Sequence, residues 1–199
     1  DFTPIIGRAL RQLDVAGLVD ALVPMDPRRR VSTGVCVEAM IVAIVLGKHT
    51  LYRIDELLRP YDLEVAFGWT ARAEQFHDNR LARALDDAFE VGLTKIQCAV
   101  FLRAVEVHDL ELKRLHLDTS SVSVYGEYAT SAPPADPEDE RAVPYVTRGH
   151  SKDHRGDLKQ IVYGLAVLGD GGAAALGRAP SGNRADPPAV RWLLARLAE

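Results

Sequence analysis

The stretch LHLDTSSVSVYGE, Leu115 to Glu127, divides the chain into two kinds of structure. Before it, apolar residues recur every three to four positions. Within it they alternate with polar ones, placing Leu115 and Leu117 on one side and His116, Asp118, Ser120, Val122 and Val124 on the other. That two-residue period predicts a β-strand. Asp118 is its anomaly, standing where a strand normally buries a hydrophobe. Aspartate is depleted in strands because its short side chain competes for backbone hydrogen bonds, and a carboxylate buried without partners is costly. Either Asp118 lies at a harmless edge, or it holds something.

Upstream of this stretch the pattern is helical. A first helix is expected through Ile5, Leu10, Leu13 and Leu18, closed by Pro24, with an Asp26-Pro27 turn ahead of the basic triplet Arg28, Arg29, Arg30. Ser32 is placed to cap a nearly all-apolar helix running to Leu46, which Gly47 ends. Shorter helical pieces cover Tyr52 to Leu58 and Asp62 to Phe67. Leu81, Leu85 and Phe89 form a stripe at i, i+4 and i+8 that Gly92 stops. Thr94-Lys95-Ile96-Gln97 then has the form of a capping box, opening a last helix through Val100, Ala104 and Val107. Residues 1–111 are therefore read as a helical domain.

Downstream, residues 126–149 shift to Pro, Glu, Asp and Ala, too polar and proline-rich for a core, and are read as a mobile acidic surface insertion. Gln160 to Leu168 is an almost continuous apolar run, as in a strand buried on both faces. Asp170-Gly171 signals a hairpin turn, and a third strand is expected around Ala173 to Arg178. Asp186-Pro187 suits the start of a helix whose apolar face is Val190, Leu193, Leu194 and Leu197. The expected fold is α+β, with three strands and one helix in residues 112–199. So short a sheet has an exposed edge and an uncovered face, and more chain is expected to complete it.

The bulk composition bounds the function. With 199 residues and 47% hydrophobic content the chain buries a real core. Its net charge of −4 supplies no global basic field, so any contact with DNA must come from local patches. Cys36 and Cys98 lie in apolar helical stretches without CxxC spacing, which points to buried free thiols and a cytoplasmic protein. The longest apolar run, Val35 to Leu46, is interrupted by Glu38 and is shorter than the roughly 20 residues of a bilayer span, so no membrane association is expected. The chain opens on Asp1 without a signal-peptide pattern.

Asp118, flanked by Thr119, Ser120 and Ser121, suits a hard divalent cation, which takes oxygen ligands. One carboxylate does not make such a site, and an aspartate bonded to neighbouring hydroxyls also fits the spacing. A second cluster is GHSKDHRGDLKQ, Gly149 to Gln160, where Arg148, Lys152, Arg155 and Lys159 are interleaved with His150 and His154. It is either a loop that grips phosphates or a solvated turn. His150 and His154 lack the further ligands of a zinc site. Arg28, Arg29 and Arg30 either touch a DNA backbone or form a solvated boundary, and the same two readings hold for Arg72, Arg80 and Arg83. Gly169 to Gly172 lacks the spacing of a phosphate loop or dinucleotide fold, and Ser120 and Ser121 are in no nucleophile elbow.

Taken together, HLDTSSVSVYGEY and, after the insertion, GHSKDHRGDLKQIVYGLAVLGDGG and SGNRADP resemble bacterial insertion-sequence transposases of the DDE class, in the insertion sequence 4 superfamily and most closely its 1634-type branch. PIIGRALRQLDVAGLVDALVP, the apolar helix before GKHTLYRIDELL, and HDNRLARALDDAFEVG are similar to the amino-terminal helical domain of that branch. The resemblance implies a ribonuclease H-like catalytic fold whose first strand carries the first acid of an Asp-Asp-Glu triad, and Asp118 is the matching position. It implies Mg²⁺ or Mn²⁺ as cofactor, with two ions roughly 3.5–4 Å apart in the complete site, and phosphoryl transfer that nicks and joins DNA. The implied partners are terminal inverted repeats, target DNA and a second copy in a homodimer.

In that family the second Asp and the Glu lie further along than this sequence reaches. Asp153, Asp157, Asp170 and Asp186 fall within shared motifs but not at catalytic positions. The expectation is the front part of a transposase with an incomplete site, inactive in strand transfer by itself. The alternative is a catalytically inactive DNA-binding or transposase-pairing regulator.

Overall fold

Asp14 breaks the first apolar helix in two. It adopts φ 50°, ψ 45°, a left-handed conformation that a short polar residue tolerates, and so separates α1 (Thr3–Leu13) from α2 (Val15–Leu22). The break lets Ile6 and Leu10 of α1 and Val15 and Val19 of α2 all reach the core. The computed structural model describes residues 2–48, 50–137, 139, 141–150 and 154–184. Its Cα packing separates into two compact units, Asp1–Arg103 and Ala104–Glu199.

The first unit is helical. After α2 come α3 (Thr33–Val45), α4 (Ile54–Leu58), α5 (Leu63–Phe67), a 3₁₀ turn at Ala73–Gln75, α6 (Asp78–Val91) and the start of α7 (Leu93–His108). Ser32 caps α3 as its position predicted, accepting from Val35 N at 3.2 Å, and Asp62 does the same for α5 from Val65 N at 3.1 Å. On α6 the buried stripe is Leu81, Ala84 and Ala88, while Leu85 is 43% exposed. The expected Leu81-Leu85-Phe89 stripe is thus rotated toward the small alanines, on a helix that packs against α3. Helix α7 begins directly after Gly92, so Thr94 is its second residue rather than its cap.

Helix α3 runs through the middle of this unit, with Cys36, Ala39 and Val42 fully buried. Its approach to α2 depends on Gly34, where a Cβ would stand 2.2 Å from the carbonyl oxygen of Ala16. A chain of rings, Tyr61, Phe67, Trp69 and Phe76, fills the space beside it, with Phe67 and Trp69 stacked at 4.5 Å between centroids. Burial pushes the Cys36 thiol up to about 11. Cys98, expected to be buried like Cys36, is exposed. Among the described residues no helix is long and apolar enough to cross a membrane.

The second unit holds an antiparallel sheet of β1 (Leu115–Val124), β2 (Lys159–Leu168) and β3 (Ala174–Arg178), in that spatial order. Asp118 lies opposite Leu165 and Ser120 opposite Tyr163. The β2–β3 turn uses Gly171 and Gly172 at φ 63° and 65°, as the Asp-Gly signal predicted. Strand β2 is buried on one face rather than both: Gln160, Val162, Ala166 and Leu168 are covered, while Tyr163 on the other side is 42% exposed. Its unbroken hydrophobicity hides an ordinary alternation of burial.

The acidic insertion has no helix or strand of its own among its described residues, yet its later part is anchored. Tyr145 N donates to Ser181 Oγ at 3.1 Å, Gly182 N to the Tyr145 carbonyl at 2.9 Å, and Thr147 bridges to Gln160. Arg178 donates to the carbonyls of Pro137 and Asp139 at 2.9 and 2.7 Å. The helix expected from Asp186 onward, and Lys152 and Asp153 of the cationic loop, lie outside the described residues.

Candidate functional site

Asp118 sits on the open face of the sheet, not in a buried position. The β1–β2 register puts His116, Asp118, Ser120 and Val122 on one side with Ile161, Tyr163, Leu165 and Val167 of β2. Thr119, on the covered side, is 2% exposed. Asp118 Oδ1 accepts from Thr119 N at 2.7 Å, which ties one carboxylate oxygen to the backbone of β1. The charge that looked out of place in a strand core is on the solvated face, where its hydration is retained.

Two motifs singled out by the sequence, Gly149 to Gln160 and the SGNRADP stretch, meet at one buried side chain. Gln160, 1% exposed, donates from Nε2 to the carbonyl of His150 at 3.2 Å and to that of Gly182 at 2.8 Å. Gly149 and Gly182 close on it: a Cβ on Gly149 would stand 2.1 Å from the Gly182 carbonyl oxygen, and one on Gly182 would stand 1.9 Å from that of Gln160. Gly149-His150, Lys159-Gln160 and Ser181-Gly182 are thereby one interlocked corner of the sheet. Sequence reading took the first two as a cationic loop and did not assign Gln160 this role. A glutamine inside an apolar run was the available signal.

The cations gather at the end of the β1–β2 ladder, where Val124 pairs with Lys159. Lys159 Nζ donates to the Glu127 carbonyl. Arg155 makes a two-pronged ion pair with Asp157 at 2.8 and 2.7 Å, and its guanidinium lies 6.0 Å from the centre of the Tyr125 ring. Hydrogen bonding from Arg155 holds the Asp157 carboxyl below its ordinary range, with the charges of Arg155 and Arg148 adding to it. Arg148 is exposed.

The basic triplet of the helical unit divides differently. Arg28 pairs with Asp26 at the surface, and Arg30 is exposed. Arg29 is a structural tie: its guanidinium bonds both oxygens of Asp87 on α6, one of them at 3.1 Å, and Thr33 Oγ1 donates to the same carboxylate at 2.9 Å. Burial alone would raise the Asp87 pKa, but the bonds from Arg29 and Thr33 outweigh it and hold the carboxyl below its ordinary value. Arg80 is buried and donates to the Val31 carbonyl at 3.0 and 3.3 Å. Glu38, also buried, accepts from Ala16 N at 3.0 Å and Trp69 Nε1 at 2.6 Å, and burial pushes its carboxyl up against both bonds.

Residues 1–102 match the family described as a domain of unknown function, DUF4277. The chain belongs to that family. The DUF4277 match spans Arg28–Arg30 between α2 and α3, Glu38 on α3 and Arg80 on α6 and stops before β1, so Asp118 and the cationic corner lie beyond it. No curated protein and no solved structure matches the chain.

A divalent ion held by carboxylates needs several oxygen ligands converging on one point. Among the described residues no group of three or more His, Cys, Asp or Glu side chains is placed to hold a metal ion. The described residues around Asp118 therefore do not by themselves fit Mg²⁺ or Mn²⁺.

Proposed function

We propose that this chain is the helical region and first sheet of an insertion-sequence transposase of the DDE class, with Asp118 as the first acid of its triad. The observation that carries the reading is the position of Asp118: a carboxylate on the first strand of an antiparallel sheet, exposed on an open face, and tied by the amide of Thr119. An exposed carboxylate beside solvent-facing Ser120 is accessible to a phosphate diester and to further ligands, as a buried one is not. The ribonuclease H-like reading of the sheet rests on the same strand and on the antiparallel order β1-β2-β3 that follows it. The cations Arg148, Arg155 and Lys159 at one end of the ladder suit a phosphate backbone.

In this reading the chain contributes one acid and a DNA-contacting surface. In-line displacement at phosphorus is then governed by positioning and charge neutralisation. The test is excision from the natural locus: a host carrying the gene with its flanking DNA is compared with one carrying Asp118→Asn. The expected result is loss of excision, with salt-dependent binding of the flanking DNA retained by the purified variant. Excision at the unaltered rate in Asp118→Asn sinks the proposal.

A further inference from the structure

After Leu115 the described aromatic residues are four tyrosines, Tyr125, Tyr128, Tyr145 and Tyr163, and three of them are displayed at the surface. The sheet thus has no described aromatic core of its own. Tyr163 projects from the same face as Asp118, but it leans sideways across the sheet to β3. Gly177 is what permits this: a Cβ there would stand 2.4 Å from Tyr163 Oη and 3.1 Å from Cζ. The ring therefore lies against the sheet with one side turned to solvent, rather than standing upright. Lys159 lies on this face four residues back along β2, and its ammonium reaches the Glu127 carbonyl, two residues beyond Tyr125. Tyr125 is 75% exposed and carries the Arg155 guanidinium over its ring.

An exposed ring held against a sheet has little conformational freedom left to lose when a flat ligand stacks on it. Cations beside such rings add attraction for phosphate, and together the two features recognise unpaired nucleotides: every base offers a π-face and every linkage a negative charge. Duplex DNA keeps its bases stacked inside and offers only phosphates. We infer that Tyr163 and Lys159 on the open sheet face, with the exposed Tyr125–Arg155 pair just past the end of β1, bind single-stranded nucleic acid, with bases stacking on the two tyrosines and phosphates on the two cations. The platform runs about 20 Å from Asp118 to the end of β1 at ~3.3 Å per residue, so a strand lying along it leads to that carboxylate. The inference deepens the transposase reading by naming the unpaired form of the substrate, and it rests on that reading for DNA rather than RNA.

The test is fluorescence anisotropy of the purified 199-residue protein with three labelled probes: an oligothymidine of about 15 nucleotides, within the usual site sizes, a hairpin duplex of equal length, and an oligouridine. Oligothymidine is expected to bind at least tenfold more tightly than the duplex. Tyr125→Ala, at an exposed position that does not disturb folding, is expected to weaken it about 5- to 150-fold, while Tyr125→Phe retains affinity. Tyr163→Ala is expected to act similarly, and Arg155→Ala to reduce the salt dependence by about one ion. Equal affinity for single strand and duplex, no binding of either, or unchanged affinity in both alanine variants overturns the inference. Oligouridine bound more tightly than oligothymidine overturns its assignment to DNA. Because none of these outcomes involves Asp118, they are independent of the excision result, and either proposal can fail while the other stands.

Discussion

Gly34→Ala is the sharpest test of how the helical unit is built. The added Cβ would lie 2.2 Å from the Ala16 carbonyl oxygen and 2.7 Å from its Cα, both backbone atoms of α2 that cannot rotate away. Restoring a van der Waals distance of about 3.4 Å requires α2 and α3 to part by about 1 Å. Overpacking of this kind costs about 1–3 kcal/mol. Parting the helices also strains the 2.6 Å bond from Gly34 N to Asp20 Oδ1, worth about 1 kcal/mol. Alanine's better helix propensity offsets at most about 1 kcal/mol. The net loss is about 1–3 kcal/mol, which for a unit of this size lowers the melting temperature by about 4–24 °C. Thermal unfolding followed by tryptophan fluorescence, in a Trp192→Phe background so that buried Trp69 alone reports, measures it. Gly156→Ala, where no atom lies within 4 Å of the added Cβ, is the matched control and should leave the curve in place. A Gly34→Ala protein melting within about 2 °C of the parent would show that the α2–α3 approach does not depend on this glycine.

Three further outcomes follow from named contacts. Trp69→Phe removes the 2.6 Å indole bond to Glu38 and should destabilise the helical unit by about 1–3 kcal/mol in urea titrations, because a buried carboxylate is left with one donor fewer. Since burial raises the Glu38 pKa, its contribution is present below the ordinary value of 4.5 and lost as pH rises through the folded value. Trp69→Phe should extend that loss to higher pH, and an unchanged pH profile would contradict the assignment. Asp87 has the opposite sign: its folded pKa is lowered, so its contribution is present above the ordinary value of 3.8 and lost as pH falls through the depressed one. Urea midpoints below that value should therefore fall less steeply in Asp87→Asn than in the parent. Gly182→Ala drives a Cβ to 1.9 Å from the Gln160 carbonyl and should open the corner that anchors the acidic insertion, read as faster proteolysis between residues 126 and 149.

Most of the element boundaries were legible because their causes are local. Ser32 and Asp62 cap helices through their own side chains, and Gly92 ends α6 with φ 106°. The misreadings share one origin. The break at Asp14, the rotation of the α6 stripe toward Ala84 and Ala88, and the one-sided burial of β2 all depend on what lies opposite, which periodicity does not encode. The candidate site was half legible in the same sense. Asp118, Arg155 and Lys159 were visible as residues, but so were Arg29 and Arg80, which Asp87 and the Val31 carbonyl hold within the helical unit, whereas Arg155, paired with Asp157, stays at the surface. Tyr163 was read only as part of an apolar run.

What the sequence determined by itself is the change of regime at Leu115: a 3.6-residue period before it, a two-residue period after it, and turn chemistry at Asp170-Gly171, all set by backbone preferences acting over a few residues. The tertiary structure alone decided which side of each element is wet. The β1–β2 register put Asp118 on the open face beside Tyr163, and Gly177 let that ring lie down upon the sheet. Register and close approach are relations between residues far apart in the chain, and only the packed sheet brings them together.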